Sequence, residues 1–198
     1  SLPGDRDGYV GGKEANAETI RFLVVPDQAA RKTALYAGQI ELLSDFAPAD
    51  IAEAKAAGFT VQHGNAMGWS TLLIQTLDPL LKDERVRRAI AHAIDLKQVA
   101  SAATFDMGEA NPSAVATMSP YHSAVMDEWP AYDPEKAKAL LAEAGYKGEE
   151  IKIQTNRKYE SMYNDAIAIQ AMLAAVGVNA QLDVLDWATQ LDNYNQCK

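Results

Sequence analysis

The last third of the chain carries the feature that most restricts its fold, which is a double change of hydrophobic period. Apolar and polar residues alternate over 151–155, apolar residues recur every three or four positions over 162–176, and strict alternation returns over 179–184. A period of two is typical of a half-buried strand, and a period near 3.6 is typical of an amphipathic helix. Two strands joined through one helix form a βαβ unit, so the segment predicts an α/β fold with parallel pairing.

The same reasoning extends the prediction to the rest of the chain. We expect one mixed sheet flanked by helices, which include 84–94, 134–144 and 162–176. The glycine- and charge-rich residues 1–19 have no period and are expected to be a loop or tail, and residues 20–198 to be a single α/β lobe. Besides the two strands named above, apolar runs predict strands at 20–25, 40–43, 59–63 and 69–76.

Composition narrows the classes of function. The 198 residues carry a net charge of −9, which argues against nucleic acid or an anionic membrane as the partner. The one cysteine, Cys197, has no base nearby in sequence, and His92 is expected to be solvated on a polar helix face. Because no nucleophile motif, phosphate-binding glycine loop or metal-ligand spacing is present, we predict a protein that is not an enzyme and needs no cofactor or metal.

The best candidate site in the residues themselves is the polar stretch TNRKYES, which follows a predicted strand and precedes a helix. Open α/β sheets bind ligands at the carboxyl ends of their strands. Arg157 can bind a carboxylate through two parallel hydrogen bonds, Tyr159 offers a flat apolar face with a hydroxyl, and Asn156 lies beside them. The alternative for Arg157 is an ordinary solvated arginine.

Three segments, in this order, resemble the family 5 extracellular solute-binding proteins, the peptide- and nickel-type receptors of bacterial ABC importers. They read DPLLKDERVRRAIAHAID from Asp78, YDPEKAKALLAEAGY from Tyr132 and AIQAMLAAVGV from Ala168. The resemblance covers roughly residues 20–191. It implies a periplasmic-binding-protein-like lobe, excised from a longer two-lobed protein.

The resemblance also implies a role and partners. A receptor of this family captures a small solute between two lobes and docks on an ABC permease in the membrane. A peptide is the expected solute here, and a nickel complex, an opine or an oligosaccharide remains an alternative. The implied location is periplasmic or extracellular, with a lipid anchor on the full-length protein left open. The alternative functions are the ligand-sensing domain of an intracellular regulator and a small α/β hydrolase domain.

The family pattern points to further site residues. An arginine in the strand-to-helix loop contacts the ligand carboxylate in dipeptide-binding members, and Arg157 matches it when one gap is allowed. The loop FDMGEAN resembles the family's loop that lines the cleft between lobes, so Phe105, Met107 and Gly108 are candidate contacts, with ordinary core positions as the alternative for Phe105 and Met107. Trp69 faces either the cleft or the core.

Overall fold

A computed structural model describes residues 16–64 and 68–196 and divides the chain into two compact units, residues 1–47 and 48–198. Predictions that concern residues 1–15 and Cys197 lie outside the described residues. The helices of the described part are α1 (Gln28–Tyr36), α2 (Ile51–Ala56), α3 (Glu84–Ala93), α4 (Leu96–Thr104), α5 (Pro134–Ala144), α6 (Glu160–Ala175) and α7 (Trp187–Asn195), with short 3₁₀ turns at Pro48–Asp50 and Ala124–Asp127. Its strands are β1 (Ile151–Thr155) and β2 (Ala180–Val184).

Aspartate side chains begin most of these helices. The carboxylates of Asp83, Asp95, Asp133 and Asp186 each accept a backbone hydrogen bond from the first turn of α3, α4, α5 and α7, respectively. Such a cap satisfies a donor that the helix itself leaves unpaired, which is why the helix begins there. Gly145 ends α5 with φ of 77°, in the left-handed region that glycine adopts without strain. The helices predicted at 84–94, 134–144 and 162–176 are confirmed to within two residues.

The predicted βαβ unit is present in the second compact unit. β1 and β2 pair in parallel, with Ile151 opposite Ala180 and Thr155 opposite Val184, and α6 connects them and packs on both. Alternate residues of β1 are buried, as the period of two predicted. The α/β class predicted from the sequence is confirmed.

The helices enclose one apolar core in this unit. α3 packs on α5, α4 packs on α6, and α6 packs on both strands, so the buried faces of these elements form one cluster. Leu173 of α6 is only 1% exposed and lies in this core. The other branched aliphatic residues buried in the core are Val86, Ile90, Ile94, Val99, Leu141, Ile151, Ile153, Ile169, Val176 and Val178.

Four strand predictions are wrong. Residues 20–25, 40–43, 59–63 and 69–76 have no strand pairing in the structure, and the sheet of the described part is a parallel pair rather than a mixed six-stranded sheet. Many apolar side chains in these segments are exposed, with Phe22 at 88% and Val24 at 92%. The physical reason is that an apolar run favours a strand only when another strand supplies partners for its backbone N–H and C=O groups.

The prediction that His92 is solvated is also wrong. His92 is 5% exposed on α3, and its Nδ1 lies 2.7 Å from the carbonyl oxygen of Ala131. The backbone N–H of Asp133 donates to the carbonyl oxygen of His92 at 2.9 Å. These two bonds attach the end of the irregular segment 105–131 to α3, immediately before α5 begins.

Candidate functional site

The carboxyl ends of the two strands lie together at one edge of the sheet. β1 ends at Thr155 and is followed by the loop 156–159, while β2 ends at Val184 and is followed by Leu185 and α7. The backbone N–H of Leu185 donates to the carbonyl oxygen of Thr155 at 2.8 Å, and this hydrogen bond holds the carboxyl ends of the two strands side by side. The loop 156–159 therefore occupies the position at which parallel sheets present ligand-binding groups.

Arg157 is exposed in this loop and is held by one aromatic residue. Its Nη2 donates to the Tyr163 hydroxyl at 2.7 Å, and its guanidinium carbon lies 4.2 Å from the centre of the Tyr163 ring. An arginine has five N–H donors, so this arrangement leaves most of the guanidinium edge available to a ligand. Within the described residues no carboxylate forms an ion pair with Arg157. The position can thus accept an anion from outside the chain.

Two aromatic rings lie beside the arginine. Tyr159 is partly exposed, and its ring meets that of Trp187 edge to face, with centroids 5.2 Å apart and an interplanar angle of 83°. Lys158 Nζ lies 5.5 Å from the centre of the Tyr159 ring. The loop therefore combines cationic groups with flat apolar surface. Sequence reasoning did not select Trp187 or Tyr163, although the position of Trp187 just after the predicted strand 179–184 was an available signal.

Asn156 has a different environment from its neighbours. Its side chain is 0% exposed, accepts a hydrogen bond from the backbone N–H of Tyr159 at 3.1 Å and donates to the Gln190 side-chain oxygen at 2.7 Å. Its amide nitrogen also lies 3.5 Å from the sulfur of Met162. Of the three predicted loop residues, Arg157 and Tyr159 face solvent, whereas Asn156 binds inside the protein. Sequence reasoning missed Gln190, since nothing local marks it as a partner of the loop.

The second predicted contact group forms a separate loop after α4. Phe105 and Asp106 both have positive φ, 53° and 62°, and the N–H of Gly108 donates to the Thr104 hydroxyl at 2.7 Å. Phe105 is 51% exposed, and Met107 is half-buried. An open cavity of about 350 Å³ adjoins the loop and is lined by Lys97, Ala100, Ser101, Asp106, Gly108, Glu109 and Ala110.

Trp69, the remaining predicted residue, is 54% exposed on an irregular segment. Its neighbour Ser70 interacts with Asp165 of α6, so this segment lies near the helix that follows the loop 156–159. Burial raises the pKa of the Asp165 carboxyl, and the Ser70 hydroxyl partly opposes this by lowering it. No hydrogen bond, ion pair or ring contact joins the loop 105–108 to the loop 156–159 in the described part of the chain.

Neither a metal-binding cluster nor a membrane-spanning helix occurs in the part of the chain that the structure describes. Residues 16–64 and 68–196 contain no cluster of three or more histidine, cysteine, aspartate or glutamate side chains placed to hold a metal ion. In the same residues, no helix combines the length and apolar character that a bilayer crossing requires. What the loop 156–159 offers is a guanidinium with free donors next to two aromatic rings.

Comparison with known proteins decides the family. The family model of the bacterial extracellular solute-binding proteins, family 5 Middle, matches residues 5–198. The chain belongs to this family. Membership places it among the bacterial extracellular solute-binding proteins and confirms the resemblance inferred from the three sequence segments.

Two relatives that this chain matches in sequence are named as peptide-binding proteins. The dipeptide-binding protein of Escherichia coli is 32% identical over 194 residues, which are 93% of this chain and 35% of that protein. A probable peptide ABC transporter periplasmic-binding protein of Sinorhizobium fredii is 30% identical over 192 residues, 91% of this chain and 36% of that protein. The chain therefore spans about a third of the length of these family 5 relatives.

Solved structures of family 5 proteins have the same fold. The chain superposes on the binding protein AgaA of A. tumefaciens in complex with agropinic acid with a TM-score of 0.67 and 27% identity, covering 87% of this chain and 35% of that one. It superposes on the oligopeptide-binding protein AppA of Bacillus subtilis, in complex with a nonapeptide, with a TM-score of 0.70 and 23% identity, covering 86% of this chain and 36% of that one. The periplasmic-binding-protein-like fold predicted from the sequence is confirmed.

Proposed function

We propose that this chain is the solute-binding lobe of an ABC importer receptor, and that the captured solute is a peptide bound through its carboxylate. In this proposal residues 20–198 act as one lobe of a longer two-lobed protein that delivers the peptide to a membrane permease. The role is capture and release, so the chain performs no covalent chemistry. The family of solute-binding proteins and the names of the relatives support this class of function.

The proposal that the peptide binds through its carboxylate rests on the arrangement around Arg157. A guanidinium binds a carboxylate with two parallel hydrogen bonds, and Arg157 has free donors because Tyr163 holds it through one nitrogen and its ring face. The Tyr163 ring also fixes a long side chain that would otherwise lose rotamer freedom on binding. A carboxylate at this position would meet a cation that is already oriented.

The aromatic pair supports a peptide rather than a bare anion. Tyr159 and Trp187 present an edge-to-face pair beside the arginine, which suits the apolar part of a side chain or a planar peptide group. In the proposed site, Arg157 binds the carboxylate while the two rings contact the adjacent residue of the peptide. Phe105, Met107, Gly108 and Trp69 are proposed as further contacts from other segments of the lobe.

Opines are a second class of solute, and one solved structure supports them. The structure of AgaA holds agropinic acid, and the Arg157 site would accept any small carboxylate. Peptides remain the proposal because the relatives that are at least 30% identical are peptide-binding proteins by name. A binding panel of dipeptides, tripeptides and opines against the full-length receptor separates the two, since the proposal requires tighter binding of the peptides.

The decisive experiment is titration calorimetry of the full-length receptor with a dipeptide. Arg157→Ala is expected to weaken binding more than tenfold, or by about 1.4 kcal/mol, because a charge-assisted contact is lost. Arg157→Lys is expected to recover only part of the affinity, since an ammonium cannot form the paired hydrogen bonds. Arg88→Ala is the matched control, because Arg88 is an exposed arginine whose partner is Glu84 at 3.7 Å on α3. Unchanged affinity in Arg157→Ala would refute the proposed carboxylate contact.

A further inference from the structure

We infer that α7 positions the ligand-binding loop 156–159, and that Gln190 sets the direction of Arg157 through the buried side chain of Asn156. The inference rests on the proposed function, because it concerns how the proposed carboxylate contact is oriented. Gln190 is a positioning residue in this scheme and does not touch the ligand.

The first step is the role of Asn156 in the loop. Its side-chain oxygen accepts the N–H of Tyr159, which closes the loop onto itself three residues later. Because the side chain is fully buried, both ends of its amide need partners inside the protein. The oxygen has the Tyr159 N–H, and the nitrogen has the Gln190 oxygen at 2.7 Å as its strong acceptor. The rotation of the Asn156 amide, and with it the loop, is thus determined by Gln190.

The second step is how α7 is held. No residue of α7 is buried, so the helix is not fixed by insertion into the core. Hydrogen bonds and one aromatic contact attach it to the carboxyl end of β1 and to the loop 156–159. Trp187 meets the Tyr159 ring, Gln190 binds Asn156, and Gln190 and Asn193 reach the backbone and side-chain oxygens of Gln154 at 3.4 Å each. The helix and the loop therefore hold each other at two points, one through an amide pair and one through two rings.

The third step is the consequence for the arginine. Asn156 directly precedes Arg157, so a turn of the Asn156 backbone redirects the guanidinium. Replacing Gln190 by an apolar residue leaves the buried Asn156 nitrogen with the Met162 sulfur, a weak acceptor, as its remaining partner. A buried donor without a good acceptor drives the side chain to rotate, which breaks the Tyr159 N–H bond. Arg157 would then keep its charge but lose its preset direction.

The test compares a peptide with its amide, using alanyl-phenylalanine and alanyl-phenylalanine amide as probes in calorimetry of the full-length receptor. The ratio of the two affinities reports the orientation of Arg157 toward a carboxylate, and a general loss of stability does not alter that ratio. The parent is expected to prefer the acid more than tenfold, and Gln190→Met is expected to reduce this preference at least threefold. Gln190→Glu, which keeps an acceptor oxygen for Asn156, is expected to retain more of the preference than Gln190→Met.

Gln170→Met is the matched control. Gln170 lies on α6 and donates its side-chain amide to the carbonyl oxygen of Ala180 at 2.9 Å, away from the loop. The same chemical change there removes a hydrogen bond of the lobe and is expected to leave the acid preference at its parent value. An equal fall in preference for Gln170→Met, or equal effects of Gln190→Met and Gln190→Glu, would overturn the inference.

The result with Arg157→Ala separates this inference from the proposed function. If Arg157→Ala removes the acid preference while Gln190→Met leaves it intact, the positioning role of Gln190 is wrong and the carboxylate contact stands. If Arg157→Ala leaves the preference unchanged, the proposed contact fails, and the positioning inference fails with it.

Discussion

Gly108→Ala is a sharp test of the loop after α4. A Cβ atom at position 108 would lie 2.7 Å from Thr104 Cγ2 and 2.8 Å from Thr104 Oγ1, well inside the 3.5–4.0 Å at which carbon atoms attract. Thr104 cannot rotate away freely, because its hydroxyl donates to the Ala100 carbonyl oxygen and accepts from the Gly108 N–H, each at 2.7 Å. The new methyl group therefore forces either a clash or the loss of both bonds.

The expected magnitude follows from those two bonds. Each contributes about 0.5–1.5 kcal/mol, so Gly108→Ala is expected to lower the free energy of unfolding by about 1–3 kcal/mol. This agrees with the range of about 1–3 kcal/mol for inserting a methylene into a packed site. Urea denaturation followed by circular dichroism measures the change. Gly68→Ala is the control, since a Cβ there meets no atom within 4 Å, and it is expected to change stability by less than about 0.5 kcal/mol.

A double mutant tests the mechanism itself. Thr104→Ala removes the two atoms nearest to a Cβ at position 108 and leaves the Cβ of residue 104 at 3.1 Å, so in that background the added methyl group should have a much smaller effect. The coupling energy between the two changes is expected to exceed about 1 kcal/mol, as for residues in direct contact. Equal destabilisation by Gly108→Ala in both backgrounds would refute the steric argument, and so would a Gly108→Ala protein as stable as the parent.

Three further predictions concern the second compact unit. Leu173→Ala is expected to lower the free energy of unfolding by about 2–5 kcal/mol in urea, because Leu173 is 1% exposed, whereas Leu191→Ala on the surface of α7 should lower it by less than about 1 kcal/mol. Burial raises the pKa of Asp165, so the charged carboxylate opposes folding. Asp165→Asn should therefore raise Tm at pH 7. This increase in Tm should disappear below the unfolded-state pKa near 3.8, because the carboxyl is then neutral in both states. A hydrogen bond from Arg85 lowers the pKa of Asp83 to about 2. The stability contributed by the charged Asp83 carboxylate should therefore be present above pH 3.8 and be lost as pH falls toward 2. Acid unfolding curves of Asp83→Asn should lack this loss of stability.

The family and much of the helical structure were predictable from the sequence. A helix start depends on a capping side chain that lies within three residues of the backbone N–H groups that it binds. Asp83, Asp133 and Asp186 each accept such a hydrogen bond from the helix that follows them. The βαβ unit was predictable because the change of period between 151 and 184 is also local. The loop 156–159 was selected for the same reason, since its place after a strand and before a helix can be read along the chain.

Strand pairing was less predictable. The segments 20–25 and 69–76 have the apolar character of strands, and yet their backbone is irregular in the structure. A helix satisfies its own backbone groups, whereas a strand depends on a partner that is distant in sequence. An apolar run therefore indicates a tendency toward β-structure, and the tertiary structure decides whether a neighbouring strand is present.

The sequence by itself determined the residue types at the candidate site: an arginine, an aromatic and an amide in four consecutive positions after a strand. Only the tertiary structure decided their separate roles. It buries Asn156 against Gln190, 34 residues away, and leaves Arg157 exposed against the Tyr163 ring. It also buries His92, which bonds to the carbonyl oxygen of Ala131. The reason is that burial and hydrogen-bond partnership depend on elements brought together by packing, and no local pattern records which distant side chain will supply a partner.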